Sequence, residues 1–289
     1  MTTSTRDRVP GTSPTRPRLP GPLALGLVRT RVELLGFVRE RDAMIFIFAY
    51  PLIMMAIFAS VFGGEDQVFD IGAGPVEINF AQYFLPGMVA TGVMLSSFQT
   101  MAISIAVERD DGTLKRLRAT PLPALSYFLG KVGQVLLVSV VQTAALIALA
   151  SLAFDVPLPD GDRWWTFAWV FALGTASGAV CGVAFSTVPR SGRSASAVVT
   201  PVVLVLQFIS GVFFPYPSLP DWMQQVAQLF PLKWLAQGMR SVFLPDEFAA
   251  VETTGEWQHL LVATVLALWL ILGLVIGVRT FRWRRRDDG

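Results

Sequence analysis

Six stretches of the chain stay apolar over lengths that cross a bilayer: approximately 43–62, 83–107, 131–154, 164–186, 196–214 and 259–278. A helix needs about 20 such residues to traverse the hydrocarbon core. Backbone polar groups in lipid must be satisfied within the segment, so the pattern predicts an all-α integral membrane protein with six transmembrane helices. Pro51 and Pro201 lie inside the first and fifth runs and are expected to kink them. Gly92, Ser96, Thr100 and Ser104 recur every four residues in the second run, as do Gly174, Gly178 and Gly182 in the fourth. Small residues at that spacing let helix backbones approach closely. Two readings stand at this point: packing within one bundle, or a dimer seam or path wall.

The segments between the runs carry their own patterns. Residues 1–22 are rich in Thr, Ser, Pro, Gly and Arg, and read as a disordered cytoplasmic tail. No apolar stretch follows the early arginines at the distance a signal peptide requires. The rest, 23–289, reads as one transmembrane domain. Over 23–42, Leu27, Leu34, Leu35 and Val38 gather on one side of a helix and Arg29, Glu33 and Glu40 on the other. Arg31 and Arg39 intrude on the apolar side, where their long stems can snorkel. This predicts an interfacial helix along the cytoplasmic face; the alternative is a cytoplasmic helix packed on a partner.

The segment 215–258 is more than loop. Ser218 with Asp221 reads as a capping box that opens a helix, with Trp222, Val226 and Leu229 on one face. After Pro231 comes a second stripe of Leu232, Leu235, Met239, Val242 and Phe243, with Lys233, Gln237 and Arg240 opposite. Each piece is too short to span. The pair therefore reads as short external re-entrant helices before the last span, or as a small external cap packed on itself.

Charge sets the orientation. With both termini cytoplasmic, 20 of the 23 Lys and Arg residues fall on the inner side, while 12 of the 21 acids fall in the three outer segments. That bias predicts a multi-pass protein of the cell membrane with cytoplasmic N- and C-termini. Loop 63–82 holds four acids and no base, and is therefore external. Only 15% of residues are charged, against about 25% in soluble proteins, so the lipid bilayer is the first partner. A net charge of +2 gives no nucleic-acid surface. One cysteine, Cys181, and one histidine, His259, allow neither an internal disulfide nor a metal cluster. No phosphate-binding G-x-x-x-x-G-K-[ST] run is present, so a P-loop cannot form on this chain. No ionisable residue sits centrally in a run, whereas proton-driven carriers place relays there. Gln99, Gln142 and Gln207 are the deepest polar groups; they either line a path or hydrogen-bond neighbouring helices.

Between the second and third runs lies a charged island, Glu108 to Pro121, with seven ionised residues in fourteen. Gly112 separates its acidic half from its basic half, which includes Arg118. Leu114 and Leu117 share one face of a helical turn, and Pro121 stops that turn. A short helix of this kind suits docking of its leucines into a groove on another protein. An ordinary cytoplasmic loop, basic only to fix topology, accounts for it equally well.

Glu108, Gly112, Thr113, Leu114, Leu117, Thr120 and Pro121 resemble the E-x-x-x-G-T-L-x-x-L-x-x-T-P run of the second class of ATP-binding-cassette export permeases. Gly211, Phe213, Phe214 and Pro215, then Leu219, Pro220 and Trp222, then Pro231, Leu232 and Arg240, resemble that family's G-x-F-F-P…L-P-x-W…P-L…R signature between the fifth and sixth spans. The likeness covers roughly residues 25–280 and is nearest to the drug-exporting, daunorubicin-resistance-like branch. It implies that residues 108–121 form a coupling helix against a separate cytoplasmic ABC ATPase subunit, which carries ATP and Mg; no cofactor is expected on this chain. It also implies a second permease copy or paralogue. By the same resemblance, the expected function is export of hydrophobic or amphiphilic compounds, with roles in multidrug efflux or antibiotic resistance, and no enzymatic activity of the chain's own. A proton-coupled secondary transporter and a non-transporting structural subunit remain as alternatives, whereas an intramembrane metalloprotease cannot be assembled from one histidine and no intramembrane acid pair.

Overall fold

Pro22 opens the first helix, α1 (Pro22–Arg39), where its missing N–H is no loss. The structure is a computed structural model and describes residues 20–63, 67–70, 75–252 and 254–281. Residues 1–19 of the expected tail 1–22, and most of the basic C-terminal end, lie outside these, while Pro22, assigned to that tail, is already in α1. Six helices, or in one case a chain of helices, are long and apolar enough to cross a membrane. They are α2 (Arg41–Phe62), the run Phe80–Asp110, α6 (Ala124–Phe154), α7 (Arg163–Phe185), α8 (Gly192–Ile209) and α11 (His259–Thr280). The six-span expectation holds, with two adjustments. The fifth run stops at Ile209 rather than at 214, because Gly211 turns the chain at φ 71°. The loop after α2 contains a small antiparallel hairpin, β1 (Gln67–Asp70) with β2 (Pro75–Ile78), which the hydrophobic pattern did not signal.

The second span is the central one. It runs as α3 (Phe80–Met94), a π segment (Leu95–Gln99) and α4 (Thr100–Asp110). Asn79 caps its start by accepting from the Ala81 amide at 2.8 Å. Nearly every residue from Phe84 to Phe98 is buried, whereas α2 and α11 show most of their surface to the surroundings. The small-residue stripes are used inside this subunit. Ser96 and Ser139 share a 2.6 Å hydrogen bond from the π segment to α6. A side chain at Gly92 would meet Gln142; one at Gly174 would meet Leu235, one at Gly178 Ser97, and one at Gly182 the Phe98 carbonyl. Of the two readings of those stripes, the contacts are those of packing within one bundle. Gly182→Ala sets its new methyl about 2.5 Å from a backbone oxygen that cannot rotate away. It is expected to lower stability by about 1–3 kcal/mol, read as a lower midpoint of thermal unfolding in detergent.

The segment before α11 is built as helices α9 (Asp221–Gln228) and α10 (Pro231–Phe243). Ser218 does not cap α9. It closes a single 3-10 turn over Tyr216–Ser218 and donates to the Pro215 carbonyl at 2.7 Å, and Pro220 precedes the helix instead. Every residue of α10 is buried, so Lys233, Gln237 and Arg240 are not on a solvated face as their spacing suggested. α9 is the reverse: Trp222, Val226 and Leu229 face outward.

Candidate functional site

At the C-terminal end of α4 the chain turns through Gly112, whose φ of 78° is comfortable only for glycine. The Asp111 carboxylate accepts from the Thr113 amide at 2.8 Å and starts α5 (Thr113–Arg118). Arg116 donates to the Thr113 hydroxyl, and Thr120 donates to the Leu117 carbonyl at 2.6 Å, which closes the turn before Pro121. These contacts account locally for Thr113 and Thr120 of the sequence motif.

Leu114 has no exposed surface. It packs with Met101, Ile105, Tyr127, Val135 and Ala179, and Leu117 leans on the same cluster. The expectation that Leu114 docks into another protein is corrected here: a shared helical face says nothing about what it meets, and Leu114 is enclosed by the subunit's own helices, while Leu117 keeps part of its surface open. The surface that α5 shows outward is instead Lys115, Arg116 and Arg118, followed by Ala119, Thr120 and Pro121. The loop after α7 is fixed beside it. Arg109 donates to the Pro189 carbonyl at 3.2 Å, and the Gly192 amide donates to Asp110 at 3.0 Å. Exposed Arg190 and Arg193 thereby extend the basic surface. Glu108 points inward, accepting from the Tyr127 hydroxyl at 2.7 Å and from Lys131 at 2.5 Å.

On the opposite side, the external signature residues form a second assembly. Arg240 is buried and pairs with Glu252 at 2.6 Å, and its guanidinium also reaches the Gly211 carbonyl at 3.4 Å. Burial works against its charge, but Glu252 outweighs that and holds the Arg240 pKa above its ordinary value. Phe213 packs at tilted angles among Phe58, Phe84 and Phe208. Pro231 begins α10 and Leu232 is fully buried, while Leu219 is half-buried. Phe214 and Trp222 are exposed, so the signature is partly scaffold and partly surface. Sequence reasoning missed Glu252, which lies twelve residues beyond its partner and carries no motif.

Lys233 is buried beside this pair. Its ammonium donates to Gln237 and sits 3.8 Å from the centre of the Trp234 ring and 5.0 Å from that of Tyr216. Burial pushes its pKa down from 10.5 to about 8; Glu252 opposes the shift and Arg240 adds to it. The unfolded chain therefore holds a proton that the folded chain gives up between pH 8 and 10.5. Stability is expected to rise with pH across that window, by up to about 3 kcal/mol. Thermal unfolding of the parent and of Lys233→Met at pH 7.5 and 10 checks this: the variant loses the rise.

Of the three deep glutamines, two tie helices together. Gln142 donates to the Ile47 carbonyl at 2.7 Å, and Gln207 accepts from the Tyr50 hydroxyl at 2.8 Å. Gln99 ends the π segment and is buried. An apolar groove of about 650 Å³ opens laterally between α6 and α7, lined by Val140, Ile147, Leu152, Trp164, Phe167 and Phe171 among others, and none of the glutamines lines it. Among the described residues no group of three or more His, Cys, Asp or Glu is placed to hold a metal.

With six helices long and apolar enough to cross a bilayer among the described residues, the chain is a multi-pass membrane protein. The chain belongs to the ABC-2 type transporter family, whose model matches residues 27–244. It is similar to the inner membrane transport permease YadH of Escherichia coli K12, at 24% identity over 80% of this chain and 88% of YadH. It is also similar to the probable multidrug ABC transporter permease YbhR of the same strain, at 21% identity over 64% of this chain. The putative transport permease YvfS of Bacillus subtilis 168 matches at 24% identity over 52% of this chain and 60% of YvfS. The matched stretch spans 50% of YbhR's own length.

Proposed function

We propose that this chain is the membrane-spanning half of an ATP-driven exporter of hydrophobic or amphiphilic compounds. A second copy or a paralogue completes the path, and ATP with Mg is bound on a separate ABC ATPase subunit. Both termini are cytoplasmic, which places α5 and the 186–191 loop on the ATPase side. The observation that carries the reading is the basic face of α5, standing on a buried Leu114 at the end of the most deeply buried span. Displacement of α5 by a closing ATPase dimer reaches the bundle centre through one continuous helical run, Phe80–Asp110. The name of YbhR supports a drug-like cargo.

Reconstitution with a co-expressed ATPase subunit tests the reading. ATP-dependent flux of an amphiphilic dye is the expected result, and flux driven by a proton gradient without any ATPase would replace it with a secondary carrier. Orientation is checked separately in a Cys181→Ala background. Single cysteines at exposed Asp160 and Glu247 are expected to react with an impermeant thiol reagent from outside, and one at exposed Thr120 is not. Labelling of residue 120 in intact cells would invert the topology.

A further inference from the structure

Helix α1 buries a charged residue among its protein-facing positions and turns a largely apolar face away. Gly26, Glu33 and Phe37 are buried, whereas Leu27, Val28, Val32 and Leu35 are exposed. It lies close along the start of α6: a side chain at Gly130 would strike Arg29, and one at Gly133 would strike Thr30. Ser126 donates to the Pro22 carbonyl at 2.9 Å. At the centre of this contact is Lys131, only 2% exposed. Its ammonium donates to Glu33 of α1 at 2.8 Å, to Glu108 of α4 at 2.5 Å and to Ser104 at 3.4 Å. Arg29 pairs with Glu33 and lies 5.6 Å over the Tyr127 ring, and Tyr127 donates to Glu108. Two carboxylates and two cations thus balance out of water, and a buried lysine persists only when it is partnered in this way. One ammonium joins three helices that are remote in sequence, and Glu108 is four residues before the Gly112 turn.

We propose that Lys131 is a positioning residue: it locks α1 to the end of the second span, so that α1 and the coupling helix α5 move as one unit. The outward leucines of α1 lie in the inner leaflet, which makes α1 a brace held in the membrane surface. A push on α5 is then delivered to that brace as well as to α4 and α6. The use of the lock in transport rests on the reading of α5 as the coupling helix; the lock itself does not.

Amide hydrogen exchange on the full chain in lipid nanodiscs tests the lock without any ATPase, so its failure leaves the exporter reading standing. Glu33→Gln and Lys131→Met are expected to raise exchange roughly tenfold both in α1 and across 108–118, with α10 unchanged. Lys131→Arg, which keeps the charge, is expected to hold both regions near the parent rate. Glu33→Gln sits on α1, so its effect at 108–118 is what a local packing role would not produce. Faster exchange confined to α1, or faster exchange everywhere including α10, would overturn the proposal. Should Lys131→Met fail to fold, Glu33→Gln alone decides between these outcomes.

Discussion

Leu114→Asp is expected to remove most of the folded protein, not merely its attachment to a partner. The side chain is fully buried among Met101, Ile105 and Tyr127. Truncating such a leucine costs about 2–5 kcal/mol before any charge is counted, and a whole domain holds only about 5–15 kcal/mol. A carboxylate there must either stay neutral or drag α5 off the bundle. Size-exclusion profiles in detergent and thermal unfolding read the loss. The contrasting variant is Lys115→Ala with Arg116→Ala and Arg118→Ala. All three positions are exposed, so folding is expected to change by no more than about 0.5 kcal/mol per site, while co-purification of the ATPase subunit is lost. If Leu114→Asp were normally folded and only the ATPase were lost, the leucine would face the partner after all.

Arg240→Gln is expected to have an effect of similar size on the other side of the membrane. It leaves Glu252, itself buried, without its 2.6 Å partner. Removing one member of a buried ion pair costs about 3–5 kcal/mol, whereas replacing both by apolar residues of similar volume is often neutral. Arg240→Met combined with Glu252→Met is therefore expected to be more stable than either single variant. A thermal midpoint for Arg240→Gln equal to that of the parent would mean that the guanidinium reaches water. The Gly211 carbonyl is expected to respond too, because Arg240 also holds that turn.

The six spans were legible because each is an unbroken apolar run, and a bilayer reads length and hydropathy directly. The turn over Glu108–Pro121 was legible as a place but not in which of its faces is turned outward. Leu114 and Leu117 lie three apart, which fixes a common face and leaves its neighbour undefined. The same limit applies to α10. Lys233, Gln237 and Arg240 form a polar stripe, and a polar stripe on a short helix ordinarily meets water; here Glu252 and the Trp257 carbonyl meet it instead. The Lys131 cluster was not legible at all. Glu108 and Lys131 meet between α4 and α6, and Glu33 joins them only after α1 has folded back along α6. The hairpin was hidden for a plainer reason: two strands of four residues are too short for alternation to register.

The buried position of α10 bears on how the chain is made. Lys233 and Arg240 leave the ribosome before Glu252, and before α11, against which α10 packs. During that interval the two cations of α10 lack Glu252, the acid that pairs with Arg240 in the folded chain, so the helix cannot stably enter lipid by itself. It must wait at the membrane surface, or in the shelter of the insertion machinery, until the last span has been threaded. Closure of this end of the bundle is thereby a late event in biogenesis, and a nascent chain arrested before residue 252 should still present α10 to solvent.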